Sequence, residues 1–224
     1  MYNRKKHKIF LLSLFILSNV FINSALSLMT NNPLFLDNLE TSPNYLVKNT
    51  PLQKKLWPLC DKHAFDSLYV KAEKSMLTEQ KNLSSFISNA HKNDLQVILN
   101  CGQPDWSYKH YYPLITIEKY INYNEGHRKE EQFDAILLKV NPEKLHNWNS
   151  KKILIKEKFF EMLTKVKHKL NYSGLRIPLI ITLTSELENQ YQGRSIDKAI
   201  HPNNSYYYLI IDKDQALNIT KKKL

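Results

Sequence analysis

The sequence predicts an α/β fold: a parallel (β/α) barrel-like sheet of about six strands, short of the eight that close a full barrel. Three observations lead there. Hydrophobic residues make up 42% of the 224 and charged residues 24%, enough apolar material for a core and unlike a disordered chain. Short apolar runs alternate with amphipathic stretches, and the unit repeats at roughly 30 to 40 residues, the spacing of strand–helix–strand crossovers. The runs at 95–100 and 133–140 lead into Gly102 and Asn141-Pro142, residues that punctuate strands rather than continue helices.

In chain order, residues 1–27 read as a secretory signal peptide. Arg4, Lys5, Lys6 and Lys8 precede the apolar stretch Ile9–Ile22, and Ala25-Leu26-Ser27 offers the small residues a signal peptidase reads, with cleavage expected near Ser27. The competing reading, an uncleaved anchor, suffers from an apolar run shorter than the ~20 residues of a comfortable span. The chain is therefore expected to be secreted or periplasmic and free of the membrane after cleavage. Residues 28–43 read as an N-terminal extension and 44–224 as the barrel-like domain.

Within that domain, Asn44–Val47 is a weak strand candidate. Residues 52–63 place Leu52, Leu56, Leu59 and Cys60 on one helical face, with Pro58 making the helix irregular. Ser67–Lys71 is a better strand. Leu83, Phe86, Ile87 and Ala90 mark an amphipathic helix over about 79–93 by their i, i+3, i+4, i+7 spacing. A buried-type strand follows at 95–100, then a helix from Pro113 to about Gly126 carrying Leu114, Ile117 and Ile121. Phe133–Val140 is the strongest strand, and Ile155, Phe159, Met162, Val166 and Leu170 line a helix over 154–171. Strands at 177–183 and 206–211 complete the set.

Charge and motifs exclude several functions. Removing residues 1–27 leaves 28 basic residues against 21 acidic, an excess of seven. These cations are dispersed or gathered in Lys221–Lys223, without the basic stripe and interleaved aromatics of a nucleic-acid module. No Gly-x-Ser-x-Gly elbow and no Gly-rich phosphate loop is present. His146, His168 and His201 lack metal-ligand spacing, so neither metal nor cofactor is expected. Cys60 and Cys101 read as two packed thiols rather than a disulfide.

Parallel α/β folds collect functional groups just beyond the carboxyl ends of their strands. Four such places carry polar chemistry: Asp105-Trp106 after the 95–100 strand, Asn141 to Glu143 with Trp148 after the 133–140 strand, Glu186 and Glu188 after the 177–183 strand, and Asp212 and Asp214 after the last. An indole beside carboxylates suits a sugar, whose C–H face packs on the ring while its hydroxyls take polar partners. Glycoside hydrolysis further requires an acid and a base or nucleophile about 5 or 6.5–9.5 Å apart. The competing reading is that Trp106 and Trp148 anchor loops and the acids are solvated.

The succession Leu68-Tyr69-Val70, Phe86-Ile87, Ala90-His91, Gln96-Val97, Gly102-x-Pro104-x-Trp106, Phe133-Asp134-Ala135-Ile136, Pro142 and Trp148 resembles a group of secreted bacterial glycoside-hydrolase-like (β/α) TIM barrels, over about residues 64–185. In that family the central strand ends in Asp-x-Glu-Pro, and the resemblance implies that those acids are the functional carboxylates. Here the segment is Lys139-Val140-Asn141-Pro142, with Lys139 in place of the Asp and Asn141 in place of the Glu. An amide neither protonates a leaving oxygen nor attacks as a nucleophile, and a lysine brings the opposite charge.

The expected function is thus a non-catalytic saccharide-binding protein on a glycoside-hydrolase-like frame, using Asp105, Trp106, Lys139, Asn141 and Trp148. One alternative is a glycosidase with relocated carboxylates drawn from Asp105, Glu143 and Glu186. Others are a protein-interaction scaffold, self-associating into a homo-oligomer through exposed sheet edges, or a decayed gene product.

Overall fold

The computed structural model describes residues 32–36, 43–71, 80–175, 178–182, 187 and 206–208. All of them belong to one compact unit, Asn32–Leu224. The expected signal peptide, Glu186, Glu188, Asp212 and Asp214 lie outside the described residues.

Six strands form one sheet whose spatial order follows the chain: β1 (Pro33–Phe35), β2 (Ser67–Lys71), β3 (Gln96–Cys101), β4 (Ala135–Leu138), β5 (Leu179–Ile181) and β6 (Tyr206–Tyr208). Every neighbouring pair is parallel. Among the described strands, chain order without reversal leaves no switch point of the doubly wound kind. The helices given in full among the described residues are α1 (Pro43–Lys48), α2 (Thr50–Lys62), α3 (Gln80–His91), α4 (Tyr111–Glu125) and α5 (Trp148–Tyr172). Among the described residues no helix is long and apolar enough to cross a membrane.

The predicted helices α2, α3 and α4 and strands β2 to β5 are present within a few residues at their ends; α5 begins six residues before the expected 154, taking in Trp148, and of the strand expected at 206–211 only 206–208 lie among the described residues. The start of the domain differs. Asn44–Val47 lies within α1 instead of forming a strand. Leu46 and Val47 are buried there, and Gln53 Nε2 donates to both of their carbonyls, at 3.0 and 2.8 Å, closing the helix end against α2. Tertiary packing overrides the β preference of so short a run. The first strand comes from 33–35 instead, inside the segment expected as an extension. Asn32 Nδ2 donates to the His63 and Ala64 carbonyls, and the Asn32 N–H donates to Asp66 Oδ2, seating β1 beside β2.

Register divides the sheet into two faces. Leu34 and Leu36, Leu68 and Val70, Val97, Leu99 and Cys101, Ile136 and Leu138, and Leu179 and Ile181 join the core formed with the helices. The alternate positions, Phe35, Tyr69, Ile98, Leu137 and Ile180, point away from that core, as the two-residue side-chain period requires. Tyr69, Ile98, Leu137 and Ile180 are buried as well. Strands buried on both faces explain the continuous apolar runs in the sequence.

The β3–α4–β4 unit shows how the strands are held in place. Asn124 on α4 accepts the Phe133 N–H on Oδ1 and donates from Nδ2 to the Phe133 carbonyl, both at 3.1 Å. The buried Tyr120 hydroxyl lies 3.4 and 3.3 Å from the Phe133 and Ala135 carbonyls. These bonds tie the start of β4 to α4 and thereby set where β4 ends.

Candidate functional site

The carboxyl ends of the strands carry the chemistry on the face turned away from the helices. Continuing the register from Tyr69 leads to Lys71 on β2, from Ile98 to Asn100 and Gly102 on β3, from Leu137 to Lys139 after β4, and from Ile180 to Thr182 after β5. Lys71 and Asn100 share a level with the buried Leu137 and Ile180, and Gly102, Lys139 and Thr182 lie one step beyond it. Lys71 and Lys139 are exposed, whereas Asn100 and Thr182 are buried.

Three local features shape this mouth. The Phe35 and Tyr69 rings stack with centroids 4.6 Å apart and planes 27° from parallel. Lys139 Nζ stands 5.6 Å from the Phe35 ring centroid, a cation–π contact that orients the ammonium. Gly102, with φ +133°, passes so close to Lys139 that an added Cβ would sit 2.4 Å from the Lys139 carbonyl oxygen. The Lys139 N–H meanwhile donates to the Cys101 carbonyl at 2.8 Å, which extends the β3–β4 pairing and fixes the root of the lysine.

Asn141 takes the left-handed conformation, φ 49° and ψ 63°, which Asn tolerates better than most residues. It ends the extended chain and leads into the 3₁₀ turn Pro142–Lys144. Thr182 Oγ1 donates to Asn141 Oδ1 at 3.3 Å, so the ends of β4 and β5 are joined by side chains at the mouth. Lys139, Asn141 and Thr182 thus form one polar edge, with the Phe35–Tyr69 stack reached by the Lys139 ammonium.

The other predicted site residues are placed elsewhere. Asp105 lies on the 3₁₀ turn Pro104–Ser107 and accepts from Lys109 Nζ at 2.8 Å, a pair four residues apart at the surface. Trp106 is half-buried against the helix-side core. Trp148, at the start of α5, is only 6% exposed and belongs to that same core. The Lys152 and Lys156 ammoniums stand 5.8 and 5.7 Å from its ring, so the indole presents no open face. Burial, then the neighbouring Lys152 charge, push the Lys156 ammonium below the ordinary lysine pKa. Glu143, on the turn after Asn141, is half-buried, and its Oε2 is enclosed without a hydrogen-bond partner. The structure therefore gathers Lys139 and Asn141 at the mouth and sets both indoles in the helix layer.

Chemically, this end of the sheet offers the Lys139 ammonium, the Asn141 amide and the Thr182 hydroxyl, while the Phe35 ring is stacked on the buried Tyr69 and approached by Lys139. Among the described residues this polar edge holds no carboxylate, and no group of three His, Cys, Asp or Glu could hold a metal. A His–carboxylate contact lies at the opposite end of the sheet. His91, closing α3, brings Nε2 to 2.9 Å from Asp134 Oδ2 and Nδ1 to 2.8 Å from the Glu130 carbonyl. Asp134 Oδ2 also accepts the Val97 N–H at 2.7 Å. The Asp134 hydrogen bond, ahead of the opposing effect of burial, raises the His91 pKa.

Phe35, Tyr69, Asn100 and Thr182 were not among the candidate residues. Asn100 carries the clearest sequence signal, a polar residue inside an otherwise apolar strand. Phe35 carries none, because a three-residue strand has no period to read. No family model matches the chain, and no curated protein does.

Proposed function

We propose that the protein is an exported, barrel-like, non-catalytic saccharide-binding protein on a glycoside-hydrolase-like frame. The observation that carries this reading is the occupancy of the mouth: Lys139 and Asn141 stand after β4, beside Thr182 and the Phe35–Tyr69 stack. Amides and hydroxyls hydrogen-bond sugar hydroxyls. None of these groups supplies the acid and base that glycoside cleavage needs.

Curvature supports the barrel-like part. In a flat sheet, strands three places apart lie about 14 Å from one another. Lys139, following β4, nevertheless reaches the ring of Phe35 on β1. A sheet curled so that its inner face closes on itself brings these two together and also buries Tyr69, Ile98, Leu137 and Ile180. Export rests on residues 1–27 and is checked by the N-terminal sequence of protein recovered outside the cytoplasm, with Leu28 expected first.

The test of function is calorimetric titration of the purified chain with a panel of neutral and acidic oligosaccharides, run beside an aryl-glycoside turnover assay. Saturable binding with no turnover is the expected result. Turnover lost in Asp105→Asn, Glu143→Gln or Glu186→Gln would replace it with the glycosidase reading; absence of binding to every member would remove it.

A further inference from the structure

We infer that His91 is a proton-operated latch at the amino end of the sheet, closed in acid, which holds the 3₁₀ turn Lys129–Glu131 against the end of α3 and releases it as pH rises. The geometry around the ring carries this. Nε2 lies 2.9 Å from Asp134 Oδ2 and Nδ1 lies 2.8 Å from the Glu130 carbonyl oxygen, so an acceptor stands at each nitrogen. The imidazolium donates to both at once, whereas either neutral tautomer turns a lone pair toward one of them. Loss of the proton therefore removes one hydrogen bond and leaves two electron-rich atoms facing each other in its place.

Four pieces of the fold meet at this ring. His91 closes α3, Glu130 belongs to the turn, and Asp134 immediately precedes β4. Asp134 Oδ2 also accepts the Val97 N–H of β3 at 2.7 Å. On its other side the turn is held to α4 by donors that do not titrate near neutral pH. The Tyr123 hydroxyl donates to the Glu131 carbonyl at 3.0 Å, and Gln132 Nε2 donates to the Asn124 and His127 carbonyls at 2.7 and 2.8 Å. Opening at His91 thus frees the α3 side of the turn while the α4 side stays docked.

The surroundings favour the closed form in acid. Among the described residues, the charges acting on the ring are Asp134 and, more weakly, Glu130. Arg128 is engaged with the Glu130 and Glu131 carboxylates at 3.3 and 2.9 Å. Asp66, just before β2, is bonded to Asn32 and Ser67, and His127 faces the Tyr123 carbonyl. The His91 side chain is 21% exposed, so solvent protons reach it. The Asp134 hydrogen bond raises the ring's pKa, which places the opening above about pH 6.5.

The test is hydrogen exchange of the full chain at pH 5.5 and 8.5, corrected for intrinsic rates, beside an NMR titration of the His91 ring. Both ring nitrogens should carry protons at pH 5.5. By pH 8.5 the Glu131 and Gln132 amides should lose about tenfold in protection, the worth of one charge-assisted bond, while amides inside α4 keep theirs. His91→Gln should abolish this pH dependence. Asp134→Asn, which keeps an oxygen for the Val97 N–H, should move the opening to lower pH.

Equal protection at the two pH values in the parent, or a pH response that persists in His91→Gln, overturns the inference. An opening midpoint left unmoved by Asp134→Asn overturns it equally.

Discussion

At Gly102 the backbone of β3 and the carbonyl of Lys139 leave no room for even a methyl group, and the φ of +133° would strain any other residue. Gly102→Ala should therefore cost about 2 kcal/mol or more, because neither partner can turn aside as a side chain would. Urea denaturation of the variant checks this, and a cost under half a kcal/mol would contradict the close approach. His91 makes a second prediction. Both of its ring nitrogens face acceptors, the Asp134 carboxylate and the Glu130 carbonyl, so only the doubly protonated ring donates to both. Its folded pKa is raised above the ordinary histidine value. The stabilisation is then full below about pH 6.5 and is lost as pH rises through the folded-state pKa. Denaturation midpoints at pH 5.5 and 8.5 should show this loss, and Asp134→Asn, which keeps an oxygen for the Val97 N–H, should flatten it.

Among the elements, α3 and β3 were readable because their patterns are long and regular. Leu83, Phe86, Ile87 and Ala90 recur at helical spacing and are all buried. The run from Gln96 to Cys101 is buried almost throughout. The first strand and α1 were not readable, since three and six residues offer too little periodicity and β1 is fixed by Asn32 bonds to the distant His63 and Ala64 carbonyls. The site divided in the same way. Lys139 and Asn141 could be placed from the end of one strong strand, but their company depends on which strands curl toward it, and Trp148 was drawn into the core by α5. Cys60 on α2 and Cys101 on β3 behave as elements of packing: both are free and buried. Burial pushes their thiols up to about 11 and about 12. Neither should be alkylated by iodoacetamide at pH 8 in the folded protein, and both should react in denaturant. Rapid native labelling of either would show that its side of the core opens.

For the molecule as a whole, the outer strands carry the greatest liability. Among the described residues β1 and β6 each have a strand neighbour on one side. β1 also supplies Phe35 to the mouth and adjoins the fully buried Leu36. Leu36→Ala should cost about 2–5 kcal/mol as a core truncation. By loosening β1 it should expose the flank of β2, so light scattering should show more association in the variant than in the parent. A variant as stable and as monomeric as the parent would mean that β1 is expendable.

The sheet's order has a temporal consequence. Each strand lies beside the one made just before it, so no early segment must wait for a late one before it can dock. A chain that emerges amino end first can lay down each helix and strand on a border already in place. Its contacts then stay comparatively local, which favours rapid assembly and shortens the exposure of sticky intermediates.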